Sequence, residues 1–198
     1  MNGLDFRALV GLTLRSPMAA GREVLAADLP MAARWASAVL VVSLAAILAW
    51  VTAAMLPAAP EGEPSPFAWF GRQPLLLAGF QLAALTVTAG LMSGVGRLFG
   101  GEGRFEDALI LTVWLEAILL LVQALQIVLM PFSSDLAAML GIAAAGMFFY
   151  LTVQFTKLLH GFRSGWKVLL VMLATMLALG FVLSFIAAAF GLMPEVQP

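Results

Sequence analysis

The fold is decided by the stretch Gly94-Val-Gly-Arg-Leu-Phe-Gly-Gly-Glu-Gly-Arg-Phe-Glu-Asp-Ala-Leu-Ile-Leu-Thr-Val-Trp114, a charged, glycine-rich segment between two long apolar runs. Residues 74–96 carry no charge, and residues 108–130 carry only Glu116. Apolar runs of about 20 residues are long enough to cross the ~30 Å hydrocarbon core of a bilayer as helices. The stretch is therefore predicted to form a short polar turn between two membrane helices.

The whole chain has the composition of an integral membrane protein. Its 198 residues are 63% hydrophobic and only 11% charged, and their mean hydropathy is +1.03. A soluble protein of this size could not bury so much apolar surface. The chain has no cysteine, which excludes disulfides, thiolate metal sites and cysteine nucleophiles. The net charge of −1 and the lack of a basic stripe exclude nucleic acid as an expected partner.

Five transmembrane helices account for most of the chain, so the predicted fold is all-α, a polytopic five-helix bundle. A proline-rich loop is expected at 57–73, and Asp135 is expected to cap the fourth helix. Residues 194–198 are expected to form a short extracytoplasmic tail. The predicted spans are residues 35–56, 74–96, 108–130, 136–156 and 168–193.

Residues 1–34 mix charged and apolar side chains. We expect one or two short amphipathic helices there, with their apolar side on the membrane and their arginines among the headgroups. Ser16-Pro17 predicts one helix start, because proline suits the first helical position. A partly ordered tail is the alternative.

The basic residues predict the orientation of the bundle. Nine of them fall in residues 1–34, 97–107 and 157–167, whereas the opposite side carries only Arg72. Because lysine and arginine concentrate on the cytoplasmic side of membrane proteins, the N-terminus is predicted to be cytosolic and the C-terminus extracytoplasmic.

Small residues in the second span predict close helix packing. The spacing Gly90-x-x-x-Gly94 lets a neighbouring backbone approach. We expect this packing to occur inside the bundle, and a homo-oligomer is the alternative. The same stripe includes Gly79, Ala83 and Thr86.

The most unusual single residue is Glu116, which lies well inside the third span. Placing a charge there costs about 2.5–3.5 kcal/mol even on the scale derived from membrane-insertion experiments, which gives low values. Gln123 and Gln126 follow within about 80° of it around the helix. These three residues form a candidate functional polar stripe for protons or ions. The structural alternative, which we favour, is a neutral or hydrogen-bonded glutamate that joins helices, with Gln81, Thr152 or Gln154 as partner.

A candidate interaction surface is expected on the cytosolic side. Its arginines are candidate contacts for lipid phosphates or for acidic groups of a partner protein. Glu106 and Asp107 open the third span, where negative charge suits the positive helix end, and His160 precedes Gly161 at a helix end. The candidate residues of this surface are Arg97, Arg104, Glu106, Asp107, His160 and Arg163.

The segment from Gly100 to Trp114 and the sequence His160-Gly161-Phe162, placed between five apolar runs, resemble bacterial members of the Yip1 family over about residues 10–190. The resemblance implies a five-helix membrane fold and, for the bacterial branch, no established activity. Eukaryotic members are Golgi and endoplasmic-reticulum proteins that associate with Rab-type GTPases and with one another. This chain lacks their long tyrosine-rich N-terminal region and has one tyrosine, Tyr150.

We therefore predict a non-enzymatic, Yip1-like protein of the bacterial inner membrane that acts as an interaction or membrane-organising module through its cytosolic face. Membrane lipids and other proteins are the expected partners, and no cofactor or metal is expected. The second hypothesis is a small transporter or ion-conducting oligomer that uses the polar stripe. An intramembrane enzyme ranks last, because the chain has no nucleophile motif beside a base.

Overall fold

Two short helices precede five long ones in the computed structural model, which describes residues 5–55 and 73–189. Within these residues there is no strand, and the predicted all-α fold with short N-terminal helices is confirmed. The five long helices, α3 to α7, are long and apolar enough to cross a membrane. The helices are α1 (Phe6–Arg15), α2 (Pro17–Ala26), α3 (Met31–Met55), α4 (Pro74–Leu98), α5 (Phe105–Leu129), α6 (Ser134–His160) and α7 (Gly165–Ala189).

Several long helices extend beyond the apolar runs that predict them. Helix α3 begins at Met31 instead of residue 35, and α6 continues to His160 instead of residue 156. A helix does not have to end where the hydrocarbon ends, because its backbone hydrogen bonds form equally well in the headgroup region. The predicted loop before Gln73, residues 190–193 of the fifth span and the tail 194–198 lie outside the described residues.

Local sequence sets the helix ends. Pro17 and Pro74 occupy the first turns of α2 and α4, where the missing N–H costs nothing. Gly161 ends α6 in the left-handed conformation, with φ 69°, which glycine adopts without steric cost. The predicted cap by Asp135 is wrong, because the α6 N-cap is Ser133, whose hydroxyl accepts a hydrogen bond from Leu136 N–H.

Helix α5 is the centre of the bundle and contacts α2, α3, α4 and α6. Every side chain from Ala108 to Leu115 is buried, whereas Leu121, Leu125 and Val128 near its other end are exposed. Close packing is therefore concentrated at the end where α5 begins. Helix α7 packs mainly against α6 and is almost entirely exposed to the surroundings.

The apolar sides of the two N-terminal helices do not lie where the sequence predicts. Leu9 and Thr13 of α1, and Ala20, Gly21 and Val24 of α2, are buried. They are covered because α2 packs on α5 and α6 and because α1 reaches α5. The expected contact of these side chains with the membrane is thus corrected: they form part of the protein core.

Candidate functional site

The end of the bundle where α3 and α5 begin carries almost all the basic charge. We call this the basic end, and it comprises α1, α2, the turn at residues 99–104, the turn at 161–164 and the helix ends beside them. Nine of the ten lysines and arginines of the chain lie there. They are Arg7, Arg15, Arg22, Arg34, Arg97, Arg104, Lys157, Arg163 and Lys167.

Arg34 ties three elements of the basic end together. Its side chain is only 8% exposed, and its Nη1 donates to Asp107 Oδ1 of α5 at 2.9 Å. Its Nε donates to the carbonyl oxygen of Leu29 at 2.7 Å, and Nη2 lies 3.7 Å from Asp28 Oδ1. One buried guanidinium therefore fixes the turn between α2 and α3 to the start of α5.

His160, the last residue of α6, joins the two turns of the basic end. The Gly103 N–H donates to its Nδ1 at 3.0 Å, and its Nε2 lies 2.8 Å from the carbonyl oxygen of Met92. A carbonyl only accepts, so Nε2 carries the proton and Nδ1 is the acceptor. The ring is thus neutral, with both nitrogens used, and it stacks on Phe162 at 5.2 Å.

Glycines make room for this imidazole. A Cβ added at Gly96, Gly101 or Gly103 would collide with the His160 side chain. Two of these glycines belong to the turn at 99–104 and one to the end of α4, so α4 and the turn fit closely around the last side chain of α6. The requirement at these positions is close approach, because none of the three has a positive φ.

Trp114 anchors α1 to the bundle. Its Nε1–H donates to the Thr13 hydroxyl at 3.0 Å, and that hydroxyl donates to the Leu9 carbonyl at 2.8 Å. Phe6 meets the indole edge to face at 5.7 Å. Thr13 is fully buried, so its hydroxyl serves as a buried link between α1 and α5.

We predict that Thr13→Val loosens α1 while the bundle stays folded. Valine fills nearly the same space but leaves the Trp114 N–H buried without a partner, which costs about 1–3 kcal/mol. Trypsin should then cleave after Arg15 faster than in the wild type. Thr86→Val is the matched control, since the Thr86 hydroxyl donates to Leu82 O of its own helix and makes no hydrogen bond to another described helix. Equal cleavage rates in both variants would show that this bond does not hold α1.

The candidate surface residues separate into exposed and buried groups. Arg97, Arg104 and Arg163 are exposed. Arg104 Nε donates to Glu106 Oε2 at 3.1 Å, and this carboxylate raises the pKa of Arg104 further above its usual value. Asp107 is half-buried and accepts a hydrogen bond from Arg34, and His160 is buried.

One expectation about these residues is corrected. His160 is buried and is not available as a surface contact, because it fills the space left by glycines. Glu106 and Asp107 lie in the first turn of α5, where the sequence predicts them. Their carboxylates also accept hydrogen bonds from Arg104 and Arg34, respectively.

The predicted polar stripe divides between two places. Glu116 lines a cavity together with Gln81 of α4. Gln126 donates to the carbonyl oxygen of Ala137 near the start of α6 at 3.0 Å, and Gln123 does not line the cavity. Among the described residues no hydrogen bond reaches the Glu116 carboxyl group. The Thr152 hydroxyl, one predicted partner, donates to Phe148 O of its own helix.

Three glycines of the small-residue stripe of α4 do not approach another described helix closely. A Cβ added at Gly79, Gly90 or Gly94 would meet nothing within 4 Å among residues 5–55 and 73–189. The expectation that this stripe serves packing within the bundle is therefore wrong at these glycines. The α4 glycine that a neighbour approaches closely is Gly96. That neighbour is the His160 ring and not the backbone of another helix.

The sequence does not reveal the roles of several residues that build these sites. Arg34 contributes there only to the predicted orientation of the bundle in the membrane, and Thr13 is one of many residues with a hydroxyl group. Gln81 was predicted only as a partner of Glu116. Their roles depend on contacts between residues far apart in the sequence: Arg34 and Asp107 are separated by 73 positions, and Thr13 and Trp114 by 101. The periodicity of single helices cannot predict such contacts.

Comparison with known proteins gives one match. The sequence model of a protein family, the Yip1 domain, matches residues 11–186. No match to a curated protein or to a solved structure was found. In the described part of the chain, no group of three or more histidine, aspartate or glutamate side chains could hold a metal ion.

Proposed function

The chain belongs to the Yip1 family, and from this premise we propose that it is a non-enzymatic interaction or membrane-organising module that works through its basic end. Proteins of this family are generally non-enzymatic membrane proteins. We further propose that the chain belongs to the bacterial branch and lies in the cytoplasmic membrane. We place the basic end, with the N-terminus, in the cytosol, in agreement with the positive-inside rule.

The observation that carries this proposal is that the basic end combines a well-packed frame with exposed arginines. Arg34 and His160 hold the turn regions through bonds made to both backbone and side chains. On this frame Arg97, Arg104 and Arg163 are exposed. A guanidinium held in position binds phosphate or carboxylate with less loss of side-chain entropy than one on a mobile loop. Lipid phosphates and acidic groups of a partner protein fit this arrangement.

The opposite end offers less for recognition among the described residues. Its turn at residues 130–133 carries no charge, and Asp135 is the nearest charged side chain. The bundle is also less closely packed there, as the exposed side chains of Leu125 and Val128 indicate. This contrast supports assigning the interaction to the basic end.

The first experiment fixes the side of the membrane on which each end lies. Single cysteines can replace Glu102 and Asp135, which are exposed at opposite ends, because the natural chain has no cysteine. In intact cells an impermeant thiol reagent should label the cysteine at 135 and leave the one at 102 unlabelled. The opposite result would overturn the proposed orientation.

The second experiment tests the function. A photo-crosslinking amino acid at position 163 should give specific protein or lipid adducts in native membranes, and the same probe at position 135 should not. Arg104→Gln should reduce the adducts formed at 163 severalfold, because it removes one of the cationic contacts while leaving Arg34 and His160 in place. Identical adducts at both ends, or adducts unaffected by Arg104→Gln, would contradict the proposal.

The alternative function, conduction along Glu116, Gln123 and Gln126, receives less support. Conduction needs successive polar groups on one path, whereas Gln126 is engaged with Ala137 O and Gln123 does not line the cavity beside Glu116. The arrangement favours a single polar pocket over a continuous path.

A further inference from the structure

A cavity of about 300 Å³ lies between α3, α4, α5 and α6. The cavity is therefore larger than the site of a single buried water. Most of its lining is apolar. The lining residues are Val42, Ala45, Gln81, Ala84, Leu85, Thr88, Glu116 and Phe148.

Two polar side chains that line the cavity make no hydrogen bond among the described residues. Gln81 Oε1 is buried and makes no hydrogen bond within the described residues. The Glu116 carboxyl group likewise receives none there. The Thr88 hydroxyl donates to Ala84 O at 2.9 Å, so its proton is used and its oxygen can still accept. A buried acceptor without a partner is unfavourable, and a bound donor would remove that cost.

The position of the cavity restricts what can enter it. Glu116 lies near the middle of α5, roughly 16 Å from Phe105 at about 1.5 Å per residue. Lipid headgroups do not reach this depth. Ala84, at mid-length of α4, lines the cavity and is exposed, so the cavity opens sideways toward lipid tails. A ligand that arrives from the hydrocarbon must itself be mostly apolar.

We propose that this cavity binds a lipid-soluble alcohol: an aliphatic molecule or chain whose terminal hydroxyl donates to Gln81 Oε1 beside Glu116, with its apolar part against Val42, Leu85 and Phe148. The hydroxyl supplies a donor to the unpartnered Gln81 oxygen, and the apolar body matches the rest of the lining. The binding involves no covalent step. This inference goes beyond the function proposed for the basic end and does not depend on it.

A bare cation fits the cavity less well. Hard cations such as Ca²⁺ collect about six to eight oxygen ligands, whereas only Gln81, Thr88 and Glu116 bring side-chain oxygens to this wall. A charge at this depth in the hydrocarbon is also energetically costly. A neutral hydroxyl avoids both difficulties.

The test uses the full-length protein in liposomes and a medium-chain primary alcohol that carries a photoactivatable diazirine. Its methyl ether, which cannot donate a hydrogen bond, is the matched probe. We expect the alcohol to label peptides from α4 and α5 around Gln81 and Glu116, and the ether to label them about tenfold less, the factor that corresponds to one lost hydrogen bond.

Variants separate binding through Gln81 from general partitioning into the protein. Gln81→Leu should reduce labelling by the alcohol about tenfold without lowering the melting temperature, because it removes an unpaired polar atom. Gln123→Leu makes the same change outside the cavity and should have no effect. Ala45→Leu, which fills the cavity, should also abolish labelling. Glu116→Gln keeps an acceptor oxygen and should retain labelling, whereas a cation site would require the carboxylate.

Three results would overturn the proposal. Equal labelling by the alcohol and the ether would show that hydrogen bonding plays no part. Unchanged labelling in Gln81→Leu would remove the acceptor that the argument depends on. Absence of any labelling around Gln81 would indicate that the cavity holds water only.

Discussion

Asp107→Ala is expected to lower the free energy of unfolding by about 2–4 kcal/mol, seen as a lower melting temperature of the purified protein. Removing one partner of a buried ion pair leaves the other charge uncompensated and costs about 3–5 kcal/mol. The Asp107 side chain is 31% exposed, so we place the effect somewhat lower. The remaining partner, Arg34, is almost fully buried and would keep only the Leu29 carbonyl and the distant, exposed Asp28.

The neighbouring acid supplies the control for this prediction. Glu106→Ala removes the other carboxylate of the same helix turn, but its partner Arg104 is exposed to solvent, and solvent-exposed pairs contribute little. We expect no measurable change in melting temperature. If Asp107→Ala and Glu106→Ala behave alike, the Arg34 bridge does not fix the basic end. The double variant Arg34→Met/Asp107→Leu should recover much of the lost stability, since apolar replacements remove both charges together.

The fold could be predicted from the sequence because few physical requirements decide it. Residues 74–96 have no charge and residues 108–130 have one, and in hydrocarbon a backbone of that length must satisfy its own hydrogen bonds as a helix. The same reasoning located all five long helices, and the prediction of the Yip1 family from the Gly100–Trp114 segment is confirmed by the match over residues 11–186. Helix ends were less predictable, because several polar residues can serve as a cap. At the start of α6, Ser133 took the position expected for Asp135.

The contacts of the basic end could not be predicted in the same way. Nothing in the sequence links Arg34 to Asp107. Arg34 is explained there as one of the basic residues that set the topology, and Asp107 as a negative charge at the start of a helix. Their pairing depends on how α3 crosses α5, which the pattern of apolar residues does not specify. His160 illustrates the same limit: its helix-end position was evident, but the glycines that receive its ring belong to another hairpin.

The polar residues of the membrane interior show a further limit of periodicity. The spacing of Glu116, Gln123 and Gln126 correctly relates their directions around one helix, but it says nothing about which neighbour each one meets. Gln126 meets the start of α6, and Glu116 meets a cavity wall shared with Gln81. A shared face on one helix is therefore not a shared site.

The second large effect is expected at Gly96, where alanine should lower the free energy of unfolding by about 1–3 kcal/mol, the usual cost of overpacking. The added methyl group would collide with the His160 ring. That ring cannot easily move, because its two nitrogens are bonded to Gly103 N–H and Met92 O and its face stacks on Phe162. Thermal unfolding of the purified protein measures the effect.

Gly94→Ala, two residues earlier in α4, separates this collision from the ordinary effect of alanine in a helix. No atom of the described residues lies within 4 Å of a Cβ at Gly94, and alanine is favoured over glycine in helices by up to about 1 kcal/mol, so this variant should be as stable as the wild type or more stable. In a His160→Ala background the cost of Gly96→Ala should disappear, because residues in contact give non-additive effects. If Gly96→Ala costs the same with and without the imidazole, the loss comes from the α4 backbone, and His160 does not require a glycine at this position.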